Sequence, residues 1–306
     1  MRKERVGETD LILAEPVTKA VRWIGRGELL EQLLACWTMV TDDDLPLCPR
    51  IIGQPGMGKT TLAQAAAASA AKNVYIFQCT MDTRPEDLLV TPVLNESGTI
   101  SYHASALVTA MIDGGVAILD EANRMSEKSW ASLAPLLDHR RYVESIVAGA
   151  RIEAHADFRC CVTMNDDAST YEVPDYIVSR LQPLIEVGFP DREDELAILS
   201  YNVTFAPEDL LRITTDFLQK AHGFRLGYST RDGINIMRYA LKLQVADLES
   251  DLETAFHRSV AQVLGPDAED FETRARGQFM LGSARDLSAF FTTPDDLEGL
   301  EDLDED

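Results

Sequence analysis

The sequence predicts an α/β protein in which a parallel β-sheet, covered by helices on both faces, is followed by a smaller all-helical domain. Three observations carry this. Between about residues 50 and 190, short apolar runs rich in β-formers alternate with helical patterns. Strands that are apolar on both sides and separated by helices make a parallel sheet between helical layers. A glycine-rich stretch, GQPGMGKTT (53–61), lies between one such run and a helical pattern, which is the context of a phosphate-binding turn. After Gly188 the strands stop, and FPDREDELAILSY opens a series of helical patterns reaching about residue 264.

Taken in order, residues 1–22 read as an N-terminal arm. Its opening MRKERVGETD has no apolar segment behind its charges and so does not read as a secretory leader. The large domain covers 23–189, with strands expected at PRIIG (49–53), VYIFQC (74–79), VAILDE (116–121), FRCCVTMN (158–165) and LIEVGF (184–189). The helix after the first strand, KTTLAQAAAASAAK (59–72), is mostly alanine and can lie close against a sheet. Two segments break the alternation. TPVLNESGTISYH (91–103) reads as a hairpin turning around Asn95–Gly98, and RRYVESIVAGARIEAHADF (140–158) as another turning near Ala148–Gly149. A boundary near Pro190 leads to a helical domain over 190–264. Residues 265–306 are poorly defined and end in TPDDLEGLEDLDED (293–306), with eight acids and no base. That end reads as a solvated tail, with a docking tag for a basic partner as the alternative.

Composition narrows the function. The chain has 306 residues, a net charge of −23 and a pI near 4.5. Such an acidic balance argues against direct nucleic-acid binding, which needs Lys and Arg facing phosphate. The five cysteines are odd in number and form no Cys-x-x-Cys pair, and Cys160 and Cys161 are adjacent on one expected strand. That pattern suits reduced thiols in an apolar sheet and a cytoplasmic protein. No apolar run approaches the length of a membrane span.

Five elements carry chemistry. In the loop Gly53, Gln54, Pro55, Gly56, Met57, Gly58, Lys59, Thr60 and Thr61, glycines let backbone N–H groups wrap a phosphate, and the following helix adds its positive end. Lys59 reaches the β- and γ-phosphates of a nucleotide, and the Thr60 hydroxyl can ligate Mg²⁺. GGVAILDEANR (114–124) brings Asp120 and Glu121 to the carboxyl end of a buried strand, where ligands of open α/β sheets sit. Asp120 is the second Mg²⁺ residue, and Glu121 the general base for an attacking water. Asn165 ends its strand with a neutral amide suited to orienting that water. Arg180, in DYIVSRLQPL, falls on the sheet's flank, where it can reach a neighbouring subunit's γ-phosphate. Arg231, in YSTRDGINIMRYAL, falls in the first turn of a helix that Ser229 and Asp232 cap as a box.

In this order the five elements resemble the Walker A loop, Walker B acids, sensor 1, arginine finger and sensor 2 of AAA+ ATPases. FQCTMDTRPEDLLV (77–90), LDEANR (119–124), SRLQPLIEVGFPDREDELAIL (179–199) and YSTR (228–231) resemble the MoxR-type, dynein-related branch, and the likeness covers about residues 20–245. The two hairpins fall where that branch carries its insertions. The resemblance implies a sheet of order 5-1-4-3-2 and ATP as substrate with Mg²⁺. It also implies a homo-oligomeric, usually hexameric ring with ATP between subunits, and chaperone-like remodelling of a protein client. A partner bearing a von Willebrand factor A-type domain is implied too. Three features depart from the pattern. Thr230 stands where proline is usual, LDHRRY (137–142) brings His139, Arg140 and Arg141 in place of acids, and the acidic tail is foreign to it. One of the two arginines reads as a second trans-acting contact or an interface salt bridge. Three other readings stay open: a nucleic-acid motor, an assembly scaffold with little turnover, and a subunit of a defence or signalling complex.

Overall fold

A computed structural model describes residues 2–19, 21–96, 98–166, 172–271 and 273–274, so the acidic tail lies outside the described residues. The chain divides into two compact units between Pro190 and Asp191.

The first unit begins with β1 (Lys3–Val6) and β2 (Thr9–Ile12), followed by α1 (Gly27–Trp37), β3 (Arg50–Gly53), α2 (Lys59–Ser69) and β4 (Val74–Gln78). Next come the one-turn helix α3 (Pro85–Leu88), β5 (Val90–Leu94), β6 (Ile100–Ala104), α4 (Ala106–Asp113) and β7 (Val116–Asp120). A 3₁₀ turn (Ala122–Arg124) leads into α5 (Glu127–Leu133), β8 (Tyr142–Ser145), β9 (Ala150–Glu153), β10 (Arg159–Asn165), the short α6 (Asp175–Val178) and β11 (Leu184–Glu186).

The main sheet runs β11-β3-β10-β7-β4, with every pairing parallel. Numbered among themselves in chain order, its strands stand 5-1-4-3-2, as expected. The central strands are apolar on both sides because each side has its own core. Ala117, Leu119, Cys160, Val162 and Met164 face the layer of α4 and α5. Val116, Ile118, Cys161, Ile51 and Ile185 face that of α1 and α2. Adjacent Cys160 and Cys161 thus belong to opposite cores, and all five cysteines are buried free thiols. Burial pushes the Cys79 and Cys161 thiols well up, which leaves them protonated and inert. Ala63, Ala66 and Ala67 of α2 are fully buried, so this helix seats against the sheet with almost no side-chain thickness.

Both hairpins form. β5 pairs antiparallel with β6, and β8 with β9. Their tips are apolar and open to solvent: Leu94 and Ile100 are 73% and 59% exposed, and Ile146 is 97% exposed. The arm holds a surprise. β1 and β2 form a hairpin, and β2 pairs in parallel with β6 through Leu11↔Tyr102 and Ile12↔His103, giving a second sheet of order β1-β2-β6-β5. The sequence hides this strand pair because β1 reads KERV and is almost wholly exposed. A charged edge strand shows no apolar alternation, although charge is how edges avoid aggregation.

The second unit holds α7 (Arg192–Asn202), α8 (Glu208–Gly223), α9 (Thr230–Val245) and α10 (Leu252–Leu264). Leu199, Leu210, Leu218, Ile236, Met237 and Phe256 belong to its core. Glu195 of α7 is fully buried at that core and accepts hydrogen bonds from Gln219 Nε2 (2.7 Å) and Thr230 Oγ1 (3.1 Å). Burial is the main cause that pushes its carboxyl up to about 7.

A stability prediction follows from Glu195. The unfolded chain releases this proton at the ordinary carboxyl value, whereas the native unit keeps it until about pH 7. The native state therefore binds more protons across that window, and Glu195 makes the fold less stable as pH rises through it. Glu195→Gln removes that penalty. Urea unfolding should show the variant gaining on the order of 2–3 kcal/mol over wild type at pH 8 and almost nothing at pH 4. An equal gain at both values would mean that Glu195 does not titrate as described.

Candidate active site

The site is built at the carboxyl ends of three neighbouring strands, β3, β10 and β7. The glycine-rich loop leaves β3 at Gly53 and enters α2 at Lys59. Gly56 and Gly58 take left-handed φ of 84° and 83°, which glycine adopts without strain. Gly53 is required for another reason: a Cβ there would lie 2.3 Å from the Val187 carbonyl oxygen just beyond β11. Lys59 is buried, and its Nζ donates to the Gly53 and Gln54 carbonyls at 2.8 and 2.9 Å. The ammonium is thus folded back over its own loop, where phosphate oxygens would compete for the same protons. Beside the loop opens a cavity of about 260 Å³, with Gln54, Met57, Asp166, Glu186 and Phe189 among its lining.

Asp120 ends β7, and its Oδ1 accepts from the Thr60 hydroxyl at 2.6 Å. The same oxygen accepts from the Thr163 hydroxyl on β10. Thr163 Oγ1 in turn accepts the Glu121 backbone N–H at 3.1 Å. Thr163, almost fully buried, was not singled out from sequence. A lone polar residue two positions before Asn165, on the same side of an otherwise apolar strand, was the available signal. Thr60 and Asp120 present hard oxygen donors side by side, a set that fits Mg²⁺ rather than a softer metal.

Glu121 adopts a left-handed φ of 54°, a strained conformation for a residue with a side chain. Its carboxylate is not free: Arg124 Nε donates to Oε2 at 2.6 Å, across three residues of the 3₁₀ turn. Asn165 is buried at the end of β10. Asn123 clamps its backbone, donating Nδ2–H to the Asn165 carbonyl at 2.8 Å and accepting the Asn165 N–H at 3.4 Å. Arg124 and Asn123 were also missed, since their contacts arise only when the turn folds over β10.

The structure therefore gathers Lys59, Thr60, Asp120, Glu121 and Asn165 around the loop. Arg180 makes its contacts elsewhere. It follows α6, and its Nε lies 3.4 Å from Asp138 Oδ2 while its NH1 donates to the Tyr176 carbonyl. Arg140 forks onto the same Asp138, with Nε 3.0 Å from Oδ1 and NH2 2.7 Å from Oδ2. Arg140 first, and Arg180 after it, hold the Asp138 carboxyl well below the usual carboxylate range. Arg141 turns inward, donating to the Phe158 carbonyl at 3.1 Å. Within one chain both arginines of LDHRRY are thus engaged. Arg231 lies in the second unit, an exposed side chain on the otherwise packed first turn of α9, where Ser229 and Asp232 form the expected capping box.

Thr163→Val keeps the volume of the side chain and removes the hydroxyl that orients Asp120. The Mg²⁺ concentration needed for nucleotide binding should rise about 10–100-fold, the usual cost of losing a group that orients a metal ligand. Titrating binding against Mg²⁺ checks this, and an unchanged midpoint would mean that Thr163 does not orient Asp120.

Comparison with known proteins agrees with this geometry. Residues 50–181 match the family model of the AAA domain, dynein-related subfamily. The chain is 27% identical over 228 residues to protein CbbQ of Hydrogenophilus thermoluteolus, covering 72% of this chain and 80% of that protein. It is 28% identical over 113 residues to the denitrification regulatory protein NirQ of Pseudomonas aeruginosa, covering 37% and 43%. Among solved structures, the Thermotoga maritima RuvB Holliday junction branch migration motor superposes with a TM-score of 0.53 at 15% identity, covering 80% of this chain and 72% of that one. That likeness concerns the fold alone. Over residues 50–181 the chain is thus similar to the AAA domain of the dynein-related subfamily, and it resembles CbbQ and NirQ.

Proposed function

We propose that the chain is an Mg²⁺-dependent ATPase that works as a cytoplasmic homo-oligomeric ring, a hexamer by family pattern, and remodels a protein client. The observation that carries this reading is the Asp120 carboxylate. It is held between Thr60 of the loop and Thr163 of β10, with Glu121 next to it in the chain. A nucleotide-binding module without turnover needs the loop but has no use for an aligned second acid.

Mg²⁺ held by Thr60 and Asp120 would neutralise charge on the β- and γ-phosphates. The remaining steps belong to the chain. The Lys59 ammonium moves from its carbonyl partners to the phosphates. Asn165 orients the attacking water. Glu121 takes the proton from that water, for which its carboxylate must leave Arg124. Arg180 completes the site of a neighbour in the ring, where it stabilises charge on the transferring phosphoryl group. For this its guanidinium must leave Asp138 and Tyr176, which hold it within its own chain. By the family pattern, Arg231 serves as the sensor 2 arginine for the nucleotide.

The apolar tips at Leu94, Ile100 and Ile146 suit contact with a protein client better than with a phosphate backbone. A protein with a von Willebrand factor A-type domain is the partner class that the family suggests. No helix among the described residues is long and apolar enough to cross a membrane.

Glu121→Gln should retain ATP and assemble, yet hydrolyse it about 10²–10⁴-fold more slowly. Turnover at the wild-type rate would remove Glu121 from this role. Arg180→Ala should lower turnover by about 10³-fold or more. Mixed into wild-type protein, it should inhibit beyond simple dilution as measured by phosphate release. Inhibition that only tracks dilution would show that no neighbour depends on Arg180.

A further inference from the structure

Arg231 follows the first residue of α9, so its direction depends on whatever holds that turn. A proline at the first helical position would preset the turn through its locked φ. Thr230 occupies the position and supplies no such lock. Three contacts within the helical unit hold the turn instead.

The first is the capping box, in which the Ser229 backbone N–H donates to Asp232 Oδ2 at 2.7 Å and the Ser229 hydroxyl donates to the same oxygen at 2.8 Å. The second is Gly233, packed so tightly that a Cβ there would lie 2.6 Å from Leu218 and 3.2 Å from Leu199. The third is the hydrogen bond from the Thr230 hydroxyl to Glu195. Gln219 of α8 donates to the other carboxylate oxygen. His222, also of α8, donates Nε2–H to the Tyr228 carbonyl at 2.8 Å and keeps Nδ1 3.8 Å from Glu195 Oε2. The segment leading into Arg231 is thus gripped at Tyr228, Ser229 and Thr230.

Of these contacts, the carboxylate is the one that packing alone does not explain. Burying a carboxyl group costs free energy that an apolar side chain at 195 would avoid. The pKa near 7 reflects that cost. What an apolar residue could not provide is a directional bond to a hydroxyl on the turn that carries Arg231. We propose that Glu195 is a positioning residue for Arg231: through Thr230 it sets the direction in which the first turn of α9 presents that guanidinium to a nucleotide phosphate. This rests on the reading of Arg231 as a nucleotide-facing residue.

The test uses the full chain with Mg²⁺ and a fluorescent ribose-labelled ATP. Arg231→Ala sets the scale and should weaken binding about tenfold, the loss of one charge-assisted hydrogen bond to phosphate. Thr230→Val and Glu195→Leu should each reproduce most of that loss. Glu195→Gln, which keeps an acceptor for Thr230, should restore binding to within about twofold of wild type. Thr230→Pro, which locks the turn by other means, should make binding insensitive to Glu195→Leu. If Arg231→Ala weakens binding and Thr230→Val does not, the tether is packing only and the inference fails, while the role of Arg231 stands. If Arg231→Ala has no effect, the role of Arg231 fails instead. Hydrogen exchange at residues 229–233 then still reports on the tether, since protection lost in Thr230→Val supports it and protection kept overturns it.

Discussion

One carboxylate oxygen holds the site together. Asp120 Oδ1 accepts hydroxyl donors from Thr60 at the start of α2 and from Thr163 on β10. It thereby ties the phosphate loop to the ends of two parallel strands. This convergence is possible because the register aligns the strand ends: Gln78 is level with Asp120, and Asn165 with Gly53. A parallel sheet puts all its carboxyl ends on one edge, so residues distant in sequence reach one ligand without a long loop. Slipping one strand by a single residue would turn Thr163 to the opposite face.

The double layer of helices makes that register strict. The central strands bury alternate residues in two separate cores, so a slip would expose apolar groups on both faces at once. Alanine on α2 and glycine at Gly53 let backbone approach backbone where bulk would hold the layers apart. The rigid edge so formed supports a strained Glu121 and a buried Lys59, neither of which a mobile loop could hold.

Cationic groups of the first unit are latched. Lys59 holds its own loop carbonyls, Arg124 holds the Glu121 carboxylate, and Asp138 holds Arg140 and Arg180. The helical unit behaves differently. Its turn at Thr230 is fixed from within, by a buried acid rather than by an exposed exchangeable pair.

By itself the sequence determined the parallel sheet, the glycine-rich loop, the acids at the end of β7, Asn165 and the capped start of α9. These are encoded in short windows: two-sided apolar runs, glycines at fixed spacing before Lys59, and Ser229 three residues ahead of Asp232. Only the tertiary structure decided that β2 pairs with β6, that Thr163 orients Asp120 across 43 residues, and that Glu195 holds Thr230 across 35. It also decided that Asp138 gathers Arg140 and Arg180. The physical reason is common to all of them. A lone threonine, a charged edge strand or a buried glutamate has no local periodicity or spacing to mark it, and its partner is chosen by which strand ends and helix faces the packed cores bring together.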